Sequence, residues 1–134
     1  MKIDHDYLKK LLEACQAAEK PTFDIEDLKR SGLDYNDPLF EFHMRILNDQ
    51  GFVEQDDGEA GIGLYKSIDG HLSWSVLPLR LTASGHDFIE ALSNKEVWVA
   101  IKHGFKEASI TTLKNVAAKL LEGYAKKKID ELLR

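Results

Sequence analysis

The side chains in this 134-residue chain with the means to do chemistry are five histidines, one cysteine and a few clustered acids. His5, His43, His71, His86 and His103 form no H-x-x-x-H pair, and Cys15 has no second cysteine beside it. A metal site would therefore need residues brought together from distant parts of the chain. Cys15 falls on an apolar helical stripe with no flanking cation, which is the setting of a small buried hydrophobe and not of an activated thiolate. Asp56, Asp57 and Glu59 sit in a Gly-rich run, whereas catalytic carboxylates need desolvation and a fixed separation. His86 and Asp87 are adjacent, and adjacent helical residues point in different directions, so they make no dyad. Gly61 and Gly63 do not open a helix, and no G-x-S-x-G occurs. These patterns predict no enzyme, no catalytic residue, no metal and no cofactor.

Binding chemistry is more visible. Arg45 and Asn48 are side-chain types that read base edges. Lys66, and the Lys126-Lys127-Lys128 run with Lys119 and Arg134, can meet phosphate, although a lysine run at a helix end also complements the helix dipole. Glu41 and Asp49 oppose such contact. Charge is unevenly spread over the net −5 of the chain. Residues 1–97 hold 10 Lys and Arg against 19 Asp and Glu, a net −9, while residues 98–134 hold 8 against 4, a net +4. The anionic part repels a phosphate backbone at long range and suits a basic partner. Phe40 and Met44, placed on the outer face of the third helix, form an apolar spot of the kind found at protein interfaces.

The elements that must carry these residues follow from periodicity. Leu8, Leu11, Leu12 and Cys15 predict a first helix over 4–19, ended by Pro21. Thr22-Phe23 predicts a very short strand, and Asp24 caps a short helix carrying Ile25 and Leu28 that stops near Ser31-Gly32. Asn36 or Asp37 caps a third helix with Pro38 at its first position. Leu39, Phe42, His43, Ile46 and Leu47 are expected inward there, leaving Phe40, Glu41, Met44, Arg45 and Asn48 outward. Gly51 ends that helix, and Phe52-Val53-Glu54 continues as a strand. Residues 55–63 read as a mobile acidic loop, Leu64-Tyr65-Lys66 as a strand, and Asp69-Gly70 as a hairpin turn. Leu72, Trp74 and Val76 alternate with serines as a half-buried strand does.

The centre of the chain is the run from Leu79 to Leu92. Leu79 and Leu81 read as a strand, with Pro78 marking an edge or break. Thr82 stands where a helix N-cap belongs, and Phe88, Ile89 and Leu92 follow at helical spacing. Gly85 in that first turn predicts a close approach of two backbones. His86 is expected to brace the turn through a backbone carbonyl. Ser93-Asn94 ends this helix and caps another bearing Val97, Trp98, Ile101 and Phe105. Ser109 or Thr111 starts the last helix, of about 20 residues, whose apolar face runs through Ile110, Leu113, Ala117, Leu120 and Tyr124. Such a helix is longer than a small head can cover, so Leu120 and Tyr124 are expected at an interface with a second copy, in a homodimer.

The pattern Arg80-Leu81-Thr82, Gly85-His86-Asp87-Phe88 and Val97-Trp98, with the Phe42-His43 to Gly51-Phe52-Val53 stretch and the Leu-rich final helix, resembles the bacterial and phage family catalogued as domain of unknown function 2513. The chain departs from it at Ala83, where the family usually carries an aromatic residue. The resemblance implies a small, winged-helix-like, often phage-linked protein and supplies no catalytic residues.

Together these readings predict an α+β fold: a winged helix-turn-helix head with a long β-hairpin wing over 1–92, and a C-terminal helical extension over 93–134. No apolar run approaches the ~20 residues that span a bilayer. The N-terminus is too polar and acidic for a signal peptide, and a single cysteine suits the cytoplasm. The expected function is DNA-binding transcriptional regulation, with Arg45, Asn48 and Lys66 on the head and Lys126, Lys127 and Lys128 on the backbone of double-stranded DNA. The alternative is a protein-interaction module whose acidic head, through Phe40 and Met44, holds a protein partner.

Overall fold

The computed structural model describes all 134 residues, which form six helices and four short strands. The chain divides into two compact units, Met1–His86 and Asp87–Arg134. The division falls inside the fourth helix, whereas the sequence reading put the change at 92–93. The class is α+β.

The first unit begins with α1 (His5–Gln16), where the Asp4 carboxylate accepts the Tyr7 N–H at 3.0 Å. The helix stops three residues short of its expected end, with Ala17 as its C-cap donating its N–H to the Glu13 carbonyl. Phe23 then forms a single antiparallel bridge to Leu79. Next, α2 (Ile25–Arg30) opens with a capping box: the Asp24 side chain accepts the Asp27 N–H, and the Asp27 side chain accepts the Asp24 N–H. After it come α3 (Pro38–Asp49) and β1 (Val53–Gln55). The hairpin strands β2 (Leu64–Lys66) and β3 (Leu72–Trp74) pair with each other, and β4 (Leu79–Leu81) returns to pair antiparallel with β1 in the register Val53↔Leu81. Helix α1 packs on α2, α3 and β4. The core of this unit is Leu8, Leu11, Leu12, Cys15, Phe23, Ile25, Leu28, Phe40, Met44, Leu47, Phe52, Val53 and Leu79, all nearly inaccessible. Cys15 is thus a packing residue, and burial pushes its thiol far up from its ordinary pKa.

The strand-to-helix seam is held by Thr82. Its hydroxyl donates to the carbonyls of Gly51 and Phe52 and accepts the Gly85 N–H at 3.1 Å, while its own N–H donates to the Phe52 carbonyl at 2.8 Å. One side chain therefore ties the end of α3, the start of β1 and the first turn of α4 (Ala83–Ser93). Gly85 is required by space: a Cβ there would lie 2.3 Å from the Phe52 carbonyl oxygen and 2.7 Å from Leu81 Cδ1. His86 does not brace the turn. It is exposed, and only its backbone N–H takes part, donating to the Thr82 carbonyl.

His43 fastens the N-terminus to α3. The Asp4 N–H donates to Nε2 at 2.9 Å, so Nδ1 carries the proton and donates to the Leu39 carbonyl at 2.8 Å. The ring is wholly buried, and burial lowers its pKa from 6.5 against the opposing pulls of that carbonyl and of Asp4. Because the folded value lies below the unfolded one, the unfolded chain takes up the proton first as pH falls. Stability is expected to be complete above about pH 6.5 and to fall as pH drops toward the folded value. A His43 imidazole titration followed by NMR, beside urea midpoints at neutral and mildly acidic pH, checks this. An imidazole midpoint at or above 6.5 contradicts it.

The second unit holds the rest of α4, then α5 (Lys95–Gly104) and α6 (Ile110–Leu132), the last two packed together. Asn94 caps α5 by accepting the Val97 N–H at 3.1 Å, and Ser109 caps α6 by accepting the Thr112 N–H at 3.2 Å. Phe88, Ile89, Leu92, Val97, Ile101, Leu113 and Ala117 are buried. No helix of the chain is long and apolar enough to cross a membrane.

Candidate nucleic-acid interface

Helix α3 is placed by chemistry at both ends. The Asp37 side chain accepts the Leu39 N–H at 3.0 Å, and Pro38 occupies the first turn, where its missing N–H costs nothing. At the other end Gly51 adopts φ +72°, the Phe52 N–H donates to the Leu47 carbonyl, and the Gly51 N–H donates to the Asn48 carbonyl. This is a Schellman closure, with Phe52 and Leu47 both buried beneath it. Asn48 adds a third tie, its side-chain amide donating to the Val53 carbonyl at 2.9 Å. One of its two amide N–H donors is thus engaged at the α3–β1 junction, which fixes the side chain and leaves the second N–H and the carbonyl oxygen for another group.

The rotation of α3 differs from the expected one. Phe40 and Met44 are fully buried, and the half-exposed apolar residues are Leu39, Phe42 and Ile46. The apolar interface spot at Phe40 and Met44 therefore does not exist. Helix α3 packs on α1 and β1, and Trp74 of β3 sets its ring edge-on to Phe40 at 5.5 Å and 6.3 Å from Tyr35. This side chain is one anchor of the hairpin on the head, and buried Ile62 is another. The hairpin's other expected inward residues, Leu72 and Val76, are exposed, at 49% and 52%. The sheet there has only two strands, and nothing covers the outer face. The 55–63 segment is pinned, not loose: Ile62 is buried, the Gln55 amide donates to the Ala60 carbonyl at 2.8 Å, and the Gly63 carbonyl accepts the Ser75 N–H at 2.7 Å.

This arrangement leaves an open groove of about 290 Å³ between α3 and the hairpin. Arg45, Asn48 and Asp49 line it from α3, and Ile62, Leu64, Lys66 and Leu72 from the hairpin side. Arg45, Asn48 and Lys66, scattered in sequence, thus face one space. Arg45 is paired with Glu41 one turn back, at 3.4 Å, with its side chain 63% exposed. An exposed pair of this kind is worth about 0.3–0.5 kcal/mol, so a phosphate can displace it. Asp49 brings a negative charge into the same space. On the other flank of α3 lies a hollow of about 380 Å³ formed by Met1, Pro38, Phe42 and Ile46 with Glu41, Arg45 and Asp49.

Other candidates are placed elsewhere. Lys126, Lys127 and Lys128 are exposed on α6, in the second unit. Leu120 and Tyr124 are half-buried and continue the line of buried Leu113 and Ala117. Asp56, Asp57 and Glu59 are solvated, with Asp57 accepting the Glu59 N–H. A concavity of about 720 Å³ lies where the end of α1, helix α2 and residues 76–78 meet. Of its charged residues, Asp24 and Asp27 form the capping box and Arg30 pairs with Asp27, while Glu19 and Lys20 are exposed at its edge. No three His, Cys, Asp or Glu side chains are grouped to hold a metal ion.

Arg45, Asn48 and Lys66 in this groove were legible as residue types, and two of its residues were missed by sequence reasoning. Ile62 and Leu72 are the apolar walls, and their role depends on how Trp74 seats the hairpin, for which the local sequence carries no signal. The family model described as "Hypothetical protein (DUF2513)" matches residues 2–111. No curated protein and no solved structure matches the chain.

Proposed function

We propose that this chain, which belongs to the DUF2513 family, is a small winged-helix protein that binds duplex DNA with α3 and the β2–β3 hairpin. The observation that carries the reading is that Arg45 and Lys66 line the same groove. The order of elements supports it. A helix, a bridging residue, two helices, a strand, a hairpin and a returning strand follow one another, with β4 joined on one side to Phe23 and on the other to β1. In that order α3 is the recognition helix and the hairpin is the wing. Arg45 then reaches a base edge or a phosphate from the major groove, and Lys66 meets the flanking backbone.

The charge of the first unit sets the character of the binding. Residues 1–86 hold 9 Lys and Arg against 16 Asp and Glu, a net −7. Long-range attraction is absent, so affinity comes from a few close contacts on a preferred sequence. The test is enrichment from a randomised duplex pool, then fluorescence anisotropy on the enriched duplex at about 50 and 200 mM salt. With two or three phosphates engaged, affinity should fall about ten- to fortyfold between those conditions. Arg45→Ala should weaken binding about tenfold and relax one position of the site. No enriched sequence, or binding that ignores Arg45→Ala and Lys66→Ala, overturns the reading.

One observation favours a second reading, a protein-interaction module of bacterial or phage origin. The hollow holding half-exposed Phe42 and Ile46 is rimmed by Glu41 and Asp49, which suits a basic partner with an apolar anchor. Loss of partner binding on Phe42→Ser, with DNA binding absent, would select it.

A further inference from the structure

We propose that the outer half of α6 pairs antiparallel with the same helix of a second copy, about a two-fold axis at Ala125. The inference stands apart from what the groove on the first unit binds. Only the first half of α6 is buried, at Leu113 and Ala117, and every residue from Ala125 onward is exposed. Those exposed turns are not polar throughout. Leu121, Ala125, Ile129 and Leu132 recur at intervals of four, four and three, which sets them on one stripe of a helix. Ile129 is 55% exposed and Leu132 75%. This stripe is rotated away from the Leu113, Ala117, Leu120 and Tyr124 line; Leu121 is half-buried, and Ala125, Ile129 and Leu132 continue from it as an apolar face with no cover in the chain.

A second copy fits this face better than an unrelated helix because the stretch is complementary to itself when reversed. About Ala125, Leu121 of one copy lies level with Ile129 of the other, and Ala118 with Leu132, large against small. Alanine meets alanine at the axis, where the helices can approach closely. Charge follows the same reversal on one flank of the stripe. Glu122 and Lys126 share one flank of the stripe a turn apart, so each Glu122 meets the Lys126 of the other copy. None of these charged residues is held in an ion pair within its own chain. In a parallel pairing the lysine run 126–128 would instead stand level with itself. The contact is isologous, as closed two-fold pairs are. A stretch of about 16 residues is roughly 24 Å long, so the interface is small and the association weak.

The test uses the full chain in sedimentation equilibrium from about 5 to 500 μM. The mass should climb from 15.2 kDa toward twice that value, and Ile129→Asp should hold it at 15.2 kDa with helix content unchanged. Mild oxidation distinguishes the geometry, since native Cys15 is buried. Ala125→Cys should give a disulfide-linked dimer. Ala118→Cys should not, because the two copies of residue 118 stand about 21 Å apart along the antiparallel axes. A monomer at all concentrations overturns the proposal, as does linkage at residue 118 in place of 125.

Discussion

Phe40→Ala is expected to lower the free energy of unfolding by about 4 kcal/mol, the range for deleting a buried aromatic ring. Phe40 is wholly inaccessible and receives the edge of Trp74, so its loss leaves a cavity and unseats the hairpin that the tryptophan holds. Urea unfolding monitored by Trp74 and Trp98 fluorescence measures it. The companion variant is Arg45→Ala, one helix turn away, which should leave stability within about 0.5 kcal/mol because that side chain is solvated. Equal effects at the two positions would mean that α3 is rotated the other way, with Phe40 at the surface.

Gly85→Ala should cost about 3 kcal/mol, at the upper end for overpacked sites. The added methyl meets a backbone oxygen, that of Phe52, at 2.3 Å, and a carbonyl already bonded to Thr82 cannot retreat. In most helices the same substitution stabilises by roughly 1 kcal/mol. Gly123→Ala provides that comparison within this chain, since nothing lies within 4 Å of its Cβ position in α6. Thermal unfolding of the two variants should therefore shift in opposite directions. A Gly85→Ala protein as stable as the parent would mean that α4 and the α3–β1 turn do not touch as described.

These two sites also separate what the sequence encodes locally from what it does not. The close approach at Gly85, the Thr82 cap, the Asp24 and Asp37 caps and the Gly51 stop are each written in a few adjacent residues. Their chemistry is decided by backbone groups close at hand, so they are readable. The facing of α3 is not written that way. Leu39, Phe40, Phe42, His43, Met44, Ile46 and Leu47 spread over an arc of roughly 200° of the helix, wider than one buried face, so periodicity leaves open which edge of the arc turns inward. The choice rests on residues distant in sequence: α1, β1 and the ring of Trp74 all pack on α3. The same distance effect hid the state of Asn48, one of whose amide N–H donors is held by the Val53 carbonyl. It also hid the exposure of Leu72 and Val76, because alternation along a strand cannot say whether a second layer exists to cover it. Arg45 and Lys66 were legible as residue types, and their convergence on one groove was not.

The central claim is that the working surface of this protein is the groove between α3 and the β2–β3 hairpin. The most direct measurement is an amide NMR titration of the full chain with the enriched duplex at low salt. The account predicts shifts concentrated at Arg45, Asn48 and Asp49 of α3 and at Leu64 to Leu72 of the hairpin. Shifts confined to residues 110–134, or none at saturating duplex, would contradict it.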